Sequence, residues 1–163
     1  MKKRILAMLL TVAMCISILP MMAFADTKVA YAVLDGSTLT FYYGESKPEG
    51  AYDVPLSSVT FMSEIPWYEQ RNDIEEVVFD SSFKAYKPTS TRYWFNEFKK
   101  LTTIENLDYL DTSSVYNMYS TFDYCRNLKT LDVSNWDTSS VTNMGGMFCG
   151  CSGLESIDVS KFD

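Results

Sequence analysis

A 26-residue self-similarity in the C-terminal half constrains this chain more than any other feature. Asp111-Thr112-Ser113-Ser114-Val115, with Asn117 and Met118, returns as Asp137-Thr138-Ser139-Ser140-Val141, with Asn143 and Met144. Phe122, Cys125 and Leu128 return at the same offset as Phe148, Cys151 and Leu154. A period of this length marks one supersecondary unit that cannot bury its apolar face alone and stacks on copies of itself. A looser copy precedes these, because Ile74, Val77, Thr91, Phe95 and Phe98 lie 27 residues before Leu101, Ile104, Met118, Phe122 and Cys125. The copies therefore begin near 74, 101, 128 and 154, and the last is truncated.

The best-formed copy suggests what each unit builds. Leu128, Leu131 and Val133 alternate with Asp132 and Ser134, the mark of a half-buried strand. Trp136 follows at a corner and aligns with Leu110 and Phe162, which makes it core. Asp137-Thr138-Ser139-Ser140 then supplies helix N-cap residue types ahead of Val141, Met144, Met147, Phe148 and Cys151, whose spacing places them on one helical face. Gly145 and Gly146 weaken such a helix by about 1 kcal/mol each, so a short or partly 3₁₀ segment is expected. The pattern predicts an α/β solenoid with one strand and one short helix per coil.

Upstream, the aromatic-rich runs 29–34 and 39–43 flank Asp35-Gly36-Ser37, a hairpin signal. Pro48, Gly50 and Pro55 mark a loop over 45–58, and 59–62 reads as a short strand. Residues 26–73 are thus expected to form a β-rich N-terminal cap with a β-hairpin, covering a repeat domain at 74–163.

Residues 1–25 belong to neither part. Lys2, Lys3 and Arg4 precede an apolar run over 5–19, then Pro20 and the small-residue site Ala23-Phe24-Ala25. This is the order of a cleaved secretory signal peptide, and the run is shorter than the roughly 20 residues that span a bilayer. Cys15 lacks the small residue that precedes a lipidated cysteine. Cleavage removes three of the 14 basic residues and none of the 21 acidic ones, leaving 11 basic against 21 acidic and a net charge of −10. That sign argues against nucleic acid and against docking on anionic lipid. A secreted or surface-displayed protein with no membrane insertion after signal cleavage is expected.

Three cysteines remain, Cys125, Cys149 and Cys151, and the chain has no histidine. No zinc-ligand spacing is present. Cys125 and Cys151 share a repeat position and read as a ladder of small buried thiols, with a Cys149 disulfide to either neighbour as the alternative. The column Asp111, Asp137 and Asp163 reads as helix capping rather than a calcium ladder, since Thr-Ser-Ser follows it. No cofactor and no metal are expected. Neither is an enzyme, for there is no histidine, no Gly-x-Ser-x-Gly and no phosphate loop.

Candidate ligand contacts lie on the outward face of the predicted strands: Thr130, Asp132, Ser134, Ser156, Asp158 and Ser160. The alternative there is a plain solvated strand. Tyr116 and Tyr119 join them, because they align with Thr142 and Gly145, positions that need not be apolar.

The segment from Cys125 to Cys151 resembles the BspA-like bacterial surface proteins with leucine-rich-type repeats of about 26 residues. Their pattern is C-x-x-L-x-x-L-D-V-S-x-W/F-D-T-S-x-V-T-N-M-x-x-M-F-x-x-C. The stretches WYEQRNDIEEVVFDSSF from Trp67, STRYWF ending at Phe95 and AYAVL/LTFYY also resemble the N-terminal portions of such proteins. The resemblance implies a leucine-rich-repeat-like solenoid used in cell adhesion, with an extracellular protein or glycan as partner and no reaction. Family members generally run through more repeats and often carry an attachment module, so a structural spacer or a fragment of a larger surface protein is the alternative.

Overall fold

The computed structural model describes residues 27–163, so the secretory signal expected at 1–25 lies outside the described residues. Strand β1 (Val29–Asp35) buries Ala30 and Ala32, and β2 (Thr38–Gly44) buries Leu39 and Phe41. The two-residue period of a strand puts all four on one face. The two strands pair antiparallel from Val29↔Gly44 to Asp35↔Thr38, so the hairpin turns at Gly36 and Ser37. The short β3 (Tyr52–Asp53) adds to the other edge of β1, also antiparallel. β4 (Glu76–Phe79) runs parallel to β2, and β5 (Thr103–Glu105) runs parallel to β4. One open mixed sheet results, in the order β3-β1-β2-β4-β5.

The expected fold class is therefore incorrect. Among the described residues there is no α-helix, only the 3₁₀ turns η1 (Met62–Glu64), η2 (Tyr68–Gln70), η3 (Ser81–Ala85) and η4 (Leu107–Tyr109). The protein is mostly β and is not a leucine-rich-repeat solenoid with a helix in each coil. The segment at 59–62 is not a strand, and neither is 128–133.

The physical reason lies in where the N–H groups go. In residues 118–125, every second N–H closes a local turn: Thr121 to the Met118 carbonyl, Asp123 to Ser120 and Cys125 to Phe122. The alternate ones leave the segment altogether, from Met118 to the Asn143 carbonyl, Ser120 to Gly145, Phe122 to Met147 and Tyr124 to Cys149. The copy before it does the same, with Thr91, Tyr93, Phe95 and Glu97 donating to the carbonyls of Asn117, Tyr119, Thr121 and Asp123. An α-helix would spend all these donors within itself. The left-handed backbone at Ser120 and Tyr124, and at Gly146 and Gly150, is also incompatible with continuous helix. Apolar spacings that suit a helical face suit a run of stacked turns equally well.

The turns deliver their apolar side chains to a core that continues from the sheet. Phe41 lies against Trp67, Phe79, Phe83, Trp94 and Phe95 with ring centroids 5.0–5.9 Å apart. The Trp67 indole N–H donates to the Trp94 carbonyl at 2.7 Å, which satisfies its one polar atom inside this cluster. From there a column of stacked rings runs Phe95–Phe122 at 5.3 Å and Phe122–Phe148 at 5.9 Å. Trp136 is buried against Phe122.

Candidate functional site

The ladder between successive copies has a gap, and the gap is a groove. β5 pairs with β4 through Ile104↔Val77, yet among the described residues no backbone hydrogen bond joins its other edge to the segment 129–133. Asn106 ends β5 by turning left-handed (φ 56°) while its side-chain amide donates to the Phe79 carbonyl at 3.3 Å. η4 then carries the chain away from the sheet. Between β5, η4 and the next two copies lies a groove of about 590 Å³. Ile104, Leu131 and Ile157, one residue from each copy, lie along it, with Thr130, Asp132, Ser156 and Asp158 beside them. Asn106, Asp108 and Asn135 complete its polar lining, and a smaller hollow of about 290 Å³ continues past Asp108 and Asn135 to Lys84, Asp111 and Asp137.

Four of the residues expected to contact a ligand, Thr130, Asp132, Ser156 and Asp158, thus share one groove. Ser134 and Ser160 act behind it. The Asp132 carboxylate accepts the Ser134 N–H at 2.9 Å, and the Asp158 carboxylate accepts the Ser160 N–H at 2.9 Å. These are Asx turns, in which a carboxylate holds the backbone two residues on. The Ser134 hydroxyl and N–H hold the Asp132 carboxyl below its ordinary range, and the Ser160 N–H and hydroxyl do the same for Asp158. Lys161 adds to both effects and reaches the Ser134 carbonyl at 3.2 Å. At neutral pH the groove therefore presents fixed carboxylates, hydroxyls and side-chain amides, suited to hydrogen-bonding a polar or cationic partner.

The two tyrosines lie elsewhere and line neither hollow. Tyr116 is exposed, its N–H donating to Thr89 and its carbonyl accepting from Thr142. Tyr119 is half-buried, edge-on to Tyr93 at 5.6 Å and beneath the Arg92 guanidinium at 5.2 Å.

The aspartate column behaves as local turn chemistry. Asp111 accepts the Ser113 N–H, and Asp137 accepts both the N–H and the hydroxyl of Ser139. No helix follows either one, so they are Asx turns rather than helix caps. Among the described residues no group of three or more thiols or carboxylates is placed to hold a metal ion. The neighbouring threonines carry a role that pattern reading missed. Buried Thr112 accepts the Asp137 N–H at 2.9 Å and donates to the Asp137 carbonyl at 3.0 Å, and buried Thr138 accepts the Asp163 N–H at 2.9 Å. A hydroxyl that both gives and receives clips one copy to the next, and its signal was an invariant Thr between Asp and Ser at the 26-residue offset. Asn106, Asp108 and Asn135 were missed too, because they fall outside the strand alternation.

Residues 89–163 match a sequence family described as "Mycoplasma protein of unknown function, DUF285". The match points to a bacterial surface-type repeat family, and it is not specific to the BspA-like subgroup. No curated protein and no solved structure matches the chain. Among the described residues, no helix is long and apolar enough to cross a membrane.

Proposed function

We propose that this chain is a non-catalytic binding module displayed or secreted by a bacterium, and that the groove beside β5 recognises an extracellular protein or glycan. The observation that carries this reading is the groove itself, into which three successive copies place equivalent apolar residues between flanking carboxylates and hydroxyls. Its polar lining, with a few apolar positions along it, suits a glycan or a polar peptide face. The BspA-like resemblance of 125–151 and the secretory signal expected at 1–25 support an adhesive role at the cell surface.

The test is an array of glycans and extracellular matrix proteins probed with the chain lacking residues 1–25. Saturable binding that is lost in the paired variant Asp132→Asn with Asp158→Asn, and kept in Tyr116→Ala, supports recognition in the groove. Binding lost only in Tyr116→Ala would move the site away from the groove. Silence across the array supports a structural spacer.

A further inference from the structure

Cys125 and Cys151 occupy the same position in adjacent copies, three residues after the stacked Phe122 and Phe148. Each thiol donates to a carbonyl of the copy before its own, Cys125 to Phe95 at 3.1 Å and Cys151 to Phe122 at 2.9 Å. The backbone between them is held by ladder bonds on the N-terminal side, Phe122 to Met147 at 2.9 Å and Tyr124 to Cys149 at 2.7 Å. Backbones joined by ladder bonds of this length run at about the 4.8 Å spacing of paired strands, inside the roughly 4.4–6.8 Å Cα separation that a disulfide spans. The Phe122 carbonyl that accepts the Cys151 thiol also accepts the Cys125 N–H at 3.0 Å, so one acceptor brings the Cys151 sulfur beside the Cys125 backbone. The two differ in exposure: Cys125 is fully buried, whereas Cys151 is half-buried. Cys149 is exposed and belongs to the intervening turn.

We propose that Cys125 and Cys151 are a redox-convertible pair, closed to an inter-copy disulfide by low-molecular-weight disulfides outside the cell. The accessible Cys151 thiolate attacks one sulfur of the oxidant RSSR, forming a mixed disulfide and releasing RS⁻. Cys125 then gives up its proton and attacks the Cys151 sulfur, displacing the second RS⁻. Two protein thiols and one RSSR become one protein disulfide and two RSH. The order of attack follows from exposure, since the half-buried Cys151 thiol meets the oxidant first and the fully buried Cys125 resolves it. The expected ladder of small buried thiols holds for Cys125 alone, since Cys151 is half-buried, and Cys149 stays outside the pair. The product ties the second copy to the third.

The experiment treats the chain lacking residues 1–25, and its Cys149→Ser variant, with oxidised glutathione, followed by non-reducing peptide mapping. The expected result is loss of two thiols and a Cys125–Cys151 cross-linked peptide in both proteins, reversed by dithiothreitol. Cys125→Ser should instead accumulate a stable glutathione adduct on Cys151, because nothing resolves it. In the oxidised protein, amide exchange over 141–163 should slow at least several-fold. A cross-link from Cys149, or adducts on Cys149 alone with Cys125 and Cys151 still reduced after denaturant-free incubation, would overturn the proposal.

Discussion

The two ends of the stack are built to different standards. Around Phe41 the chain has a five-stranded sheet above a cluster of aromatic rings, and Phe41, Trp67, Phe79, Phe83 and Phe95 are all fully buried. One repeat further on, the same ladder positions are only partly covered. Met118, Phe122, Cys125 and Leu128 are all 0% exposed, while their counterparts Met144, Phe148, Cys151 and Leu154 are half-buried. An apolar hollow of about 430 Å³ lies over Met144, Met147, Phe148, Val159 and Phe162. In a stack, stability comes from contacts between neighbours, so a unit with a neighbour on one side opens at lower cost than one with two.

The largest effect should come from the ring cluster. Phe41→Ala or Phe122→Ala leaves a cavity among fully buried rings and should cost about 3–5 kcal/mol, measured by denaturant unfolding. Gly153→Ala comes next. A Cβ there would run into the backbone carbonyl oxygens of Arg126 and Leu128, which cannot move aside as a side chain would. Overpacking against backbone of this kind should cost about 1–3 kcal/mol. Phe148→Ala removes a half-buried ring and should cost about 1–2 kcal/mol, less than its equivalent Phe122. Equal costs at Phe122 and Phe148 would break the comparison and mean that something covers the end of the stack in solution.

Gly146→Ala and Gly150→Ala test the stacked turns directly. Both residues have φ of +67°, and a Cβ would approach Ser120 Oγ at 3.0 Å and the Tyr124 ring at 2.9 Å. Each should cost about 1–2 kcal/mol, whereas in the helix expected from the spacing alanine would have been stabilising.

Acid should produce the smallest effect. Ser82, Ser134, Ser139 and Ser160 hydrogen-bond the carboxylates of Asp80, Asp132, Asp137 and Asp158 and hold their pKa values below the ordinary range. Folded values below unfolded ones stabilise the protein above about pH 4, and that contribution is lost as pH falls through the folded values. A melting temperature flat from pH 8 to 5 that declines below 4 is the expected profile. Three of these four aspartates lie in the exposed last copies, so the decline should appear there first in amide exchange.

Much of this was readable from residue pattern, and the limits of that reading are instructive. The alternation across 29–43 placed a hairpin where β1 and β2 pair. The 26-residue offset named the side chains that stack, and Phe122, Cys125 and Leu128 are indeed buried. The helix was misread because Val141, Met144, Met147, Phe148 and Cys151 satisfy a helical face and a stack of turns alike. Gly146 and Gly150, four residues apart, were the one local sign of left-handed backbone. Their counterparts Ser120 and Tyr124 adopt it without glycine, so composition hid it there. Of the site, Thr130, Asp132, Ser156 and Asp158 were named from alternation, while η4 and Asn106, which shape the groove, were not.

Local chemistry alone determined the hairpin turn, the Asx turns at Asp80, Asp111, Asp132, Asp137 and Asp158 and the identity of the stacking residues, because each depends on neighbours within a few positions or on exact repetition. Tertiary structure decided whether the repeated segment would be helix or turn. Its N–H groups have two competing sets of acceptors, carbonyls of its own segment and carbonyls of the next copy. Which set wins depends on a neighbour 26 residues away being in register, and no window along the chain contains that information. The groove has the same origin: it exists because β5 finds a partner in β4 and none in 129–133.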